Sequence, residues 1–222
     1  MLHQSLSLLL KCSQTGIVWL FNCPEGSQHI LIEKKIKIHQ ITHIILTNLD
    51  IKNLAGLMGL LSSLSLSSRV HKIHIYGPSG IFQYLQFSRK YSQTTFKYCL
   101  EIHIIQNEYV SFNSSHLIYS HTIKDRASEI EYIILEKEKI GRFKSTKAQL
   151  FKITPGGLYG DLKLQNRFLV PDGFIISGKY FTNDYSIGLK ILYLVNQYCS
   201  RSSVELTLAS TQIIYPKLPP NN

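Results

Sequence analysis

Residues 41–66 read ITHIILTNLDIKNLAGLMGLLSSLSL, and how this stretch is parsed decides the fold. ITHIILTN, 41–48, is a short apolar run bounded by polar residues, the pattern of a buried strand. The Leu-rich segment 53–66 predicts a helix packed on that strand's sheet. Between them lies TNLDIKNLAG, 47–56, with polar side chains at 48, 50, 52 and 53 and a small-residue pair behind them. That is the rhythm of a metal-binding turn, yet it holds no histidine and one of its four polar positions is a lysine. Two readings stand open: a metal site that has been emptied, or a turn that never held a metal.

Outward from this stretch, strands and helices alternate. Residues 5–11 and 16–22 are β-rich runs about a polar break at 13–16, as expected of two antiparallel strands joined by a tight turn. CPEGSQ, 23–28, breaks the pattern, and 29–38 carries a helix-like face. KIHIYG, 72–77, reads as the next strand, and GPSG, 77–80, as a turn into a helix near 80–90. Further strands are expected at about 98–105, 115–121, 131–137, 173–177 and 189–195, with a helical or irregular tail to 222. Residues 137–173 differ: five of the thirteen glycines, many basic residues and no long apolar run predict a protruding, loop-rich arm. The whole reads as one α/β or α+β layered domain with a mixed sheet.

The bulk numbers narrow the function classes. With 44% hydrophobic and 17% charged residues the chain is globular rather than disordered. A net charge of +10 favours polyanionic partners, nucleic acid first and an anionic membrane surface second. No run of about 18 apolar residues exists to span a bilayer. The apolar stretch 6–10 has neither the basic flank nor the cleavage site of a signal peptide. Cys12, Cys23, Cys99 and Cys199 are scattered without a CxxC pair and read as free thiols in a reducing compartment. The abundance of Ile, Lys, Ser and Asn suits an A+T-rich genome, such as that of an organelle.

Several stretches, in order, resemble one family. SLLLKC…VWLFNCPEGSQ is similar to the opening of ribonuclease Z, the tRNA 3′-processing endonuclease of the metallo-β-lactamase superfamily, where a strand ends in Phe-Asp-Cys-Gly-Glu-Gly-Thr-Gln. Residues 41–66 resemble its metal-binding strand, turn and helix. IHIYGPSGI, HTIKD…EYIILEKEKIGRFKSTKAQLFKITPGGLYGDLK and LVPDG resemble its later turn, third motif, flexible arm and return. The resemblance implies an αββα sandwich, here shortened at both ends, with the arm inserted at about 137–173.

It also implies where a dinuclear zinc site would lie. The family's His-x-His-x-Asp-His positions fall on Asn48, Asp50, Lys52 and Asn53, its next histidine on His121, and its bridging aspartate on Asn196. The following His-Glu stretch falls near Tyr215 and Pro216, and the chain ends before the final histidine. Zinc chemistry needs lone pairs from imidazoles and carboxylates; an amide is a poor donor and an ammonium repels the ion. By this count two of seven ligands remain, Asp50 and His121, so the resemblance implies an emptied site. Lys52 is then expected to pair with Asp50 in place of the missing cation. Asp50 otherwise caps the following helix. His121 reads as a hydrogen-bonded structural histidine at a strand end, and His43 as an ordinary strand residue. The leucines of 54–66 suit core packing better than a dimer face. No Gly-x-Ser-x-Gly elbow is present for a serine nucleophile.

The arm supplies the positive signal. Lys137, Lys139, Arg142, Lys144, Lys147 and Lys152 lead into TPGGLYGDLK, where Gly156 and Gly157 replace the family's Gly-Pro tip and Tyr159 and Lys163 stay in place. In the family this tip grips the tRNA body. Glycine backbone admits phosphate closely and lysines add the counterion-release term; the alternative is a solvated basic loop. The leading expectation is a ribonuclease-Z-like protein that binds tRNA precursor without cleaving it and uses no cofactor; it either works with a separate catalytic subunit or acts alone as a binder, and a homodimer is a further expected form. An active zinc endonuclease and a non-functional relic are the alternatives. A soluble plastid protein is expected, since the chain also resembles the ribonuclease-Z-like reading frames of algal plastid genomes.

Overall fold

The computed structural model describes residues 7–12, 16–106, 109–113, 116–123, 126–169, 173–185, 187–195, 201–208 and 210–215. The chain divides into two compact units. The first comprises Met1–Val110, Ile118–Ile134 and Ile191–Asn222, and the second Ser111–Leu117 and Leu135–Lys190.

The first unit opens with a five-stranded sheet: β1 (Leu8–Lys11), β2 (Val18–Phe21), β3 (Ile41–Ile45), β4 (Ile73–Gly77) and β5 (Leu100–Ile104), in that spatial order. β1 and β2 run antiparallel, and β2 to β5 are parallel neighbours. Parallel neighbours need crossovers. These are α1 (Ser27–Glu33), then α2 (Ile51–Leu54) with α3 (Leu57–Leu66), then α4 (Ile81–Ser92). One face of the sheet, carrying Val18, Leu20, Ile44, Ile73 and Ile75, packs on Leu31, Leu57, Leu60, Leu61, Leu64, Ile81 and Leu85 of these helices. The leucines of 54–66 therefore lie in the core, with Leu66 left 82% exposed.

The expected single helix over 53–66 is two helices. Gly56 N–H donates to the Cys23 carbonyl and Cys23 N–H to the Asn53 carbonyl. A Cβ on residue 56 would overlap the Pro24 carbonyl oxygen, so only glycine permits this approach. The chain turns there because CPEG and the α2–α3 joint share backbone hydrogen bonds. The helix expected over 29–38 also ends early, at Glu33, where Lys35 takes a φ of 54°.

A second five-stranded sheet has the order β12–β11–β8–β7–β6, formed by β6 (Tyr109–Asn113), β7 (His116–Ile123), β8 (Arg126–Glu136), β11 (Leu189–Tyr193) and β12 (Gln212–Ile214). β8 begins five residues before the strand expected at 131–137. Helix α7 (Arg201–Thr207) precedes β12. Within the first unit the two sheets meet face to face. Phe21 packs against Tyr132 and Tyr193, with ring centroids 5.7 and 5.5 Å apart. Tyr132 donates its hydroxyl to the Leu46 carbonyl at 2.7 Å, and Ile130 N–H donates to the Thr47 carbonyl at 2.7 Å. All four residues of β2 are buried, as a strand covered on both faces must be.

The second unit contains α5 (Ser145–Leu150), α6 (Gly157–Lys163) and a hairpin of β9 (Arg167–Leu169) with β10 (Ile175–Ser177). It is more than a loop-rich arm over 137–173. Ala148, Ile153, Leu162 and Phe181 form a small buried core, with Phe143, Tyr159, Phe168 and Ile176 packed on it. These residues are dispersed and separated by polar ones, so no apolar run announces them.

Candidate functional site

The 47–53 turn is closed by a side-chain amide. Asn48 Oδ1 accepts from Asn53 Nδ2 at 2.7 Å and from the backbone N–H of Asp50 at 3.2 Å. Asp50 is the N-cap of α2, and its carboxylate accepts from the backbone N–H of Lys52 at 3.2 Å. The capping expectation for Asp50 is met. The expected Asp50–Lys52 ion pair is not: the carboxylate meets the Lys52 amide N–H, and among the described residues no ion pair involves the Lys52 ammonium. Helix geometry explains this. From the N-cap, an Asp side chain reaches backbone N–H groups two and three residues on, so the carboxylate is turned to the helix backbone.

Four positions that the sequence aligns with metal ligands thus offer two carboxamides, one ammonium and one carboxylate already engaged as a cap. Above the turn, Asn22 anchors it to both sheets. Asn22 Oδ1 accepts from Thr47 N–H at 3.0 Å and from Thr47 Oγ1 at 3.1 Å, and Asn22 Nδ2 donates to the Tyr193 hydroxyl at 3.1 Å. Asn22 is 2% exposed. His121 lies half-buried on β7. Asn196 lies outside the described residues. Neither Asp50 nor His121 belongs to any described group of three or more His, Cys, Asp or Glu side chains within metal-binding reach.

Such a group exists elsewhere. His74, Glu101 and His103 present ligand atoms within 4.8 Å of one another. They lie on β4 and β5, on the face of the first sheet that also carries Trp19, Phe21 and His43. The register pairs His43 with His74, His74 with Glu101, and Tyr76 with His103. The rings stack: His43 on His74 at 5.0 Å, and Tyr76 on His103 at 4.4 Å. Burial, helped by the neighbouring His74 and His103, pushes the His43 imidazole down to about 4, so it is neutral near pH 7. Burial also lowers His74, against the opposing pull of Glu101. Sequence reading missed this cluster. Its signal is the His-Ile pair repeated in ITHII, KIHIY and EIHII, which becomes a cluster only once three parallel strands are set side by side in register.

The basic residues expected to bind RNA divide by exposure. Lys137, Arg142, Lys144, Lys152 and Lys163 are exposed. Lys139 forms an ion pair with Glu136, and Lys147 sits over the Tyr180 ring, 5.9 Å from its centroid. Tyr159 turns inward: its hydroxyl donates to the Ile153 carbonyl at 2.9 Å and its ring packs 4.8 Å from Phe143. That gives it a packing role in the arm. Gly156 and Gly157 are exposed, and a Cβ on either would meet nothing within 4 Å. Over residues 135–190 the sequence has ten Lys and Arg against five Asp and Glu.

No protein-family profile matches the chain. Individual proteins do. It is 36% identical over 209 residues to the Ribonuclease Z of Acaryochloris marina (strain MBIC 11017), covering 94% of this chain and 67% of that protein. It is 39% identical over 181 residues to the uncharacterized protein ycf56 of Pyropia yezoensis, covering 82% of this chain and 69% of that protein. Among solved structures, the short form of human tRNase Z superposes with a TM-score of 0.60 at 19% identity, covering 93% of this chain and 69% of that one. The metallo-β-lactamase fold protein YhfI from Bacillus subtilis superposes with a TM-score of 0.55 at 11% identity, covering 94% and 61%. The chain spans about two thirds of the length of the relatives it matches. No helix among the described residues is long and apolar enough to cross a membrane.

Proposed function

Since this chain belongs to the ribonuclease Z family and has the metallo-β-lactamase fold, we propose that it binds tRNA precursor through its basic arm unit and does not itself cleave it. The observation that carries this reading is the closure of the 47–53 turn. Asn48 Oδ1, Asp50 Oδ1 and Asn53 Nδ2 are engaged with one another and with the backbone of the turn, and Lys52 adds a positive charge to the same motif. A zinc ion held here would compete with those bonds for Asn48 Oδ1 and Asp50 Oδ1 and meet the charge of Lys52, with Asp50 as the one anionic donor among the four positions. The donor set does not fit a dinuclear zinc site, and the metal site is read as lost.

Support for RNA binding comes from the second unit. The exposed Lys137, Arg142, Lys144, Lys152 and Lys163 and an open Gly156-Gly157 backbone lie on a compact body of their own. Exposed lysines and arginines suit the phosphates of a polyanion, whose binding is driven by release of counterions. Cleavage, where it occurs, is then supplied by a separate catalytic subunit. The likeness to ycf56 of a red alga and the A+T-type composition support a plastid location.

The second reading, an active endonuclease, is favoured by the 36% identity to a protein named Ribonuclease Z. One experiment separates them. The purified chain, supplied with zinc, is incubated with a tRNA precursor carrying a 3′ trailer, and both binding and cleavage are followed. Salt-sensitive binding without cleavage is the expected result. Cleavage that disappears on Asp50→Asn or His121→Gln overturns the reading, and absence of binding at low salt removes the arm's proposed role.

A further inference from the structure

The His74, Glu101 and His103 cluster is remote in sequence from the 47–53 turn, and the tRNA reading gives it no role. Its atoms are arranged more specifically than a hydrogen-bonded pair requires. His74 Nδ1 and His103 Nε2 face each other at 3.2 Å. His74 Nδ1 also lies 3.0 Å from Glu101 Oε2. Two ligands each about 2.05 Å from a zinc ion, set at the tetrahedral angle, lie about 3.3 Å apart. Two ligand–ligand separations therefore already match those of a mononuclear site. The third pair, Glu101 and His103, lies within 4.8 Å.

The surroundings favour this arrangement. Glu101 uses its two oxygens differently: Oε1 takes the Lys72 ammonium at 2.7 Å, and Oε2 faces the imidazoles. Lys72 thus orients the carboxylate for monodentate ligation from the outer side, at the cost of a nearby positive charge. The His43 and Tyr76 rings, stacked on His74 and His103, hold both imidazole planes in place. His74 is about one-fifth exposed, so an ion can enter from water. Two imidazoles and a carboxylate select zinc-like ions over magnesium or calcium, and leave a fourth position for water.

We propose that His74 Nδ1, His103 Nε2 and Glu101 Oε2 bind one zinc-class divalent cation on the face of β4 and β5, distinct from the family's motif at 47–53. The ion displaces the proton shared between the two facing nitrogens, which leaves His74 protonated at Nε2 and His103 at Nδ1.

The test is titration of the chelator-treated full chain with zinc, by calorimetry, and with cobalt(II), by visible absorption. Trp19, the single tryptophan, packs 6.0 Å from His43 and reports cobalt through fluorescence quenching. One ion per chain is expected, with binding at least 10-fold weaker in Glu101→Gln and abolished in His74→Gln/His103→Gln. Far-UV circular dichroism checks that each variant is folded; if the double variant is not, Glu101→Gln and the single variant His103→Gln decide. Absence of stoichiometric binding by the folded wild-type chain overturns the proposal. So does binding undiminished in these variants but lost in Asp50→Asn or His121→Gln, which would assign the metal to the family's position instead.

Discussion

Replacing Asn22 with alanine tests whether the turn is held by hydrogen bonds from the sheet behind it. The amide makes three bonds: it accepts from Thr47 N–H at 3.0 Å and Thr47 Oγ1 at 3.1 Å, and donates to the Tyr193 hydroxyl at 3.1 Å. Thr47 is 1% exposed, so its N–H has no ready access to bulk water once the acceptor is gone. A buried donor left unsatisfied costs about 1–3 kcal/mol, and each of the two hydroxyl bonds adds about 1 kcal/mol. Asn22→Ala should therefore destabilise the chain by about 3–5 kcal/mol, a large share of a total near 5–15 kcal/mol. In urea, with a slope of about 2 kcal/mol per molar, the midpoint should fall by roughly 2 M. Far-UV circular dichroism measures it. Thr47→Val removes only the hydroxyl and should cost about 1 kcal/mol. Once Asn22 is alanine, Thr47→Val should cost almost nothing further, since its bond is already gone. A loss under about 1 kcal/mol for Asn22→Ala, or full additivity of the two changes, would refute this account.

Lys144→Ala/Lys152→Ala/Lys163→Ala should leave the fold intact but weaken RNA binding. Its log–log salt slope should fall in magnitude by about 2–3, given about 0.7–0.9 per phosphate contact; filter binding across a salt series reads this. Gly56→Ala should cost about 3 kcal/mol in urea unfolding, because the added methyl meets a backbone carbonyl that cannot swing aside. Among the described cysteines, thiol labelling followed by peptide mapping should find exposed Cys99 modified first. Cys23 should react only on unfolding, since burial pushes its thiol up to about 11 despite the Ser27 hydrogen bond.

The strands of the first sheet were legible because their apolar runs are short and bounded, and 41–48 and 72–77 sit where β3 and β4 begin and end to within a few residues. The Asp50 cap was legible from local chemistry alone. The break at Gly56 was not, because it depends on Pro24, some thirty residues earlier in the chain. The Lys52 pairing failed for a local reason: the capping carboxylate is turned to the Lys52 backbone N–H. The arm's own core escaped notice because Ala148, Ile153, Leu162 and Phe181 follow no single period. The histidine cluster needed strand register, which single-strand patterns do not contain.

The amide closure at Asn48 also bears on reversibility. Suppose a lineage carrying this turn came under selection to hold zinc there again. A first step of Asn48→His removes the acceptor for both Asn53 and the Asp50 N–H, while one imidazole beside an ammonium gains no ion. Beginning instead at Asn53 deprives Asn48 of its 2.7 Å partner, with the same result. Either of these changes loosens the turn before any combination is able to bind metal, so a path back that opens at Asn48 or Asn53 crosses intermediates less stable than its start. A small hydrogen-bonded loop can in this way act as a ratchet, holding a chain in its present state through the cost of any first step taken at its bonded amides.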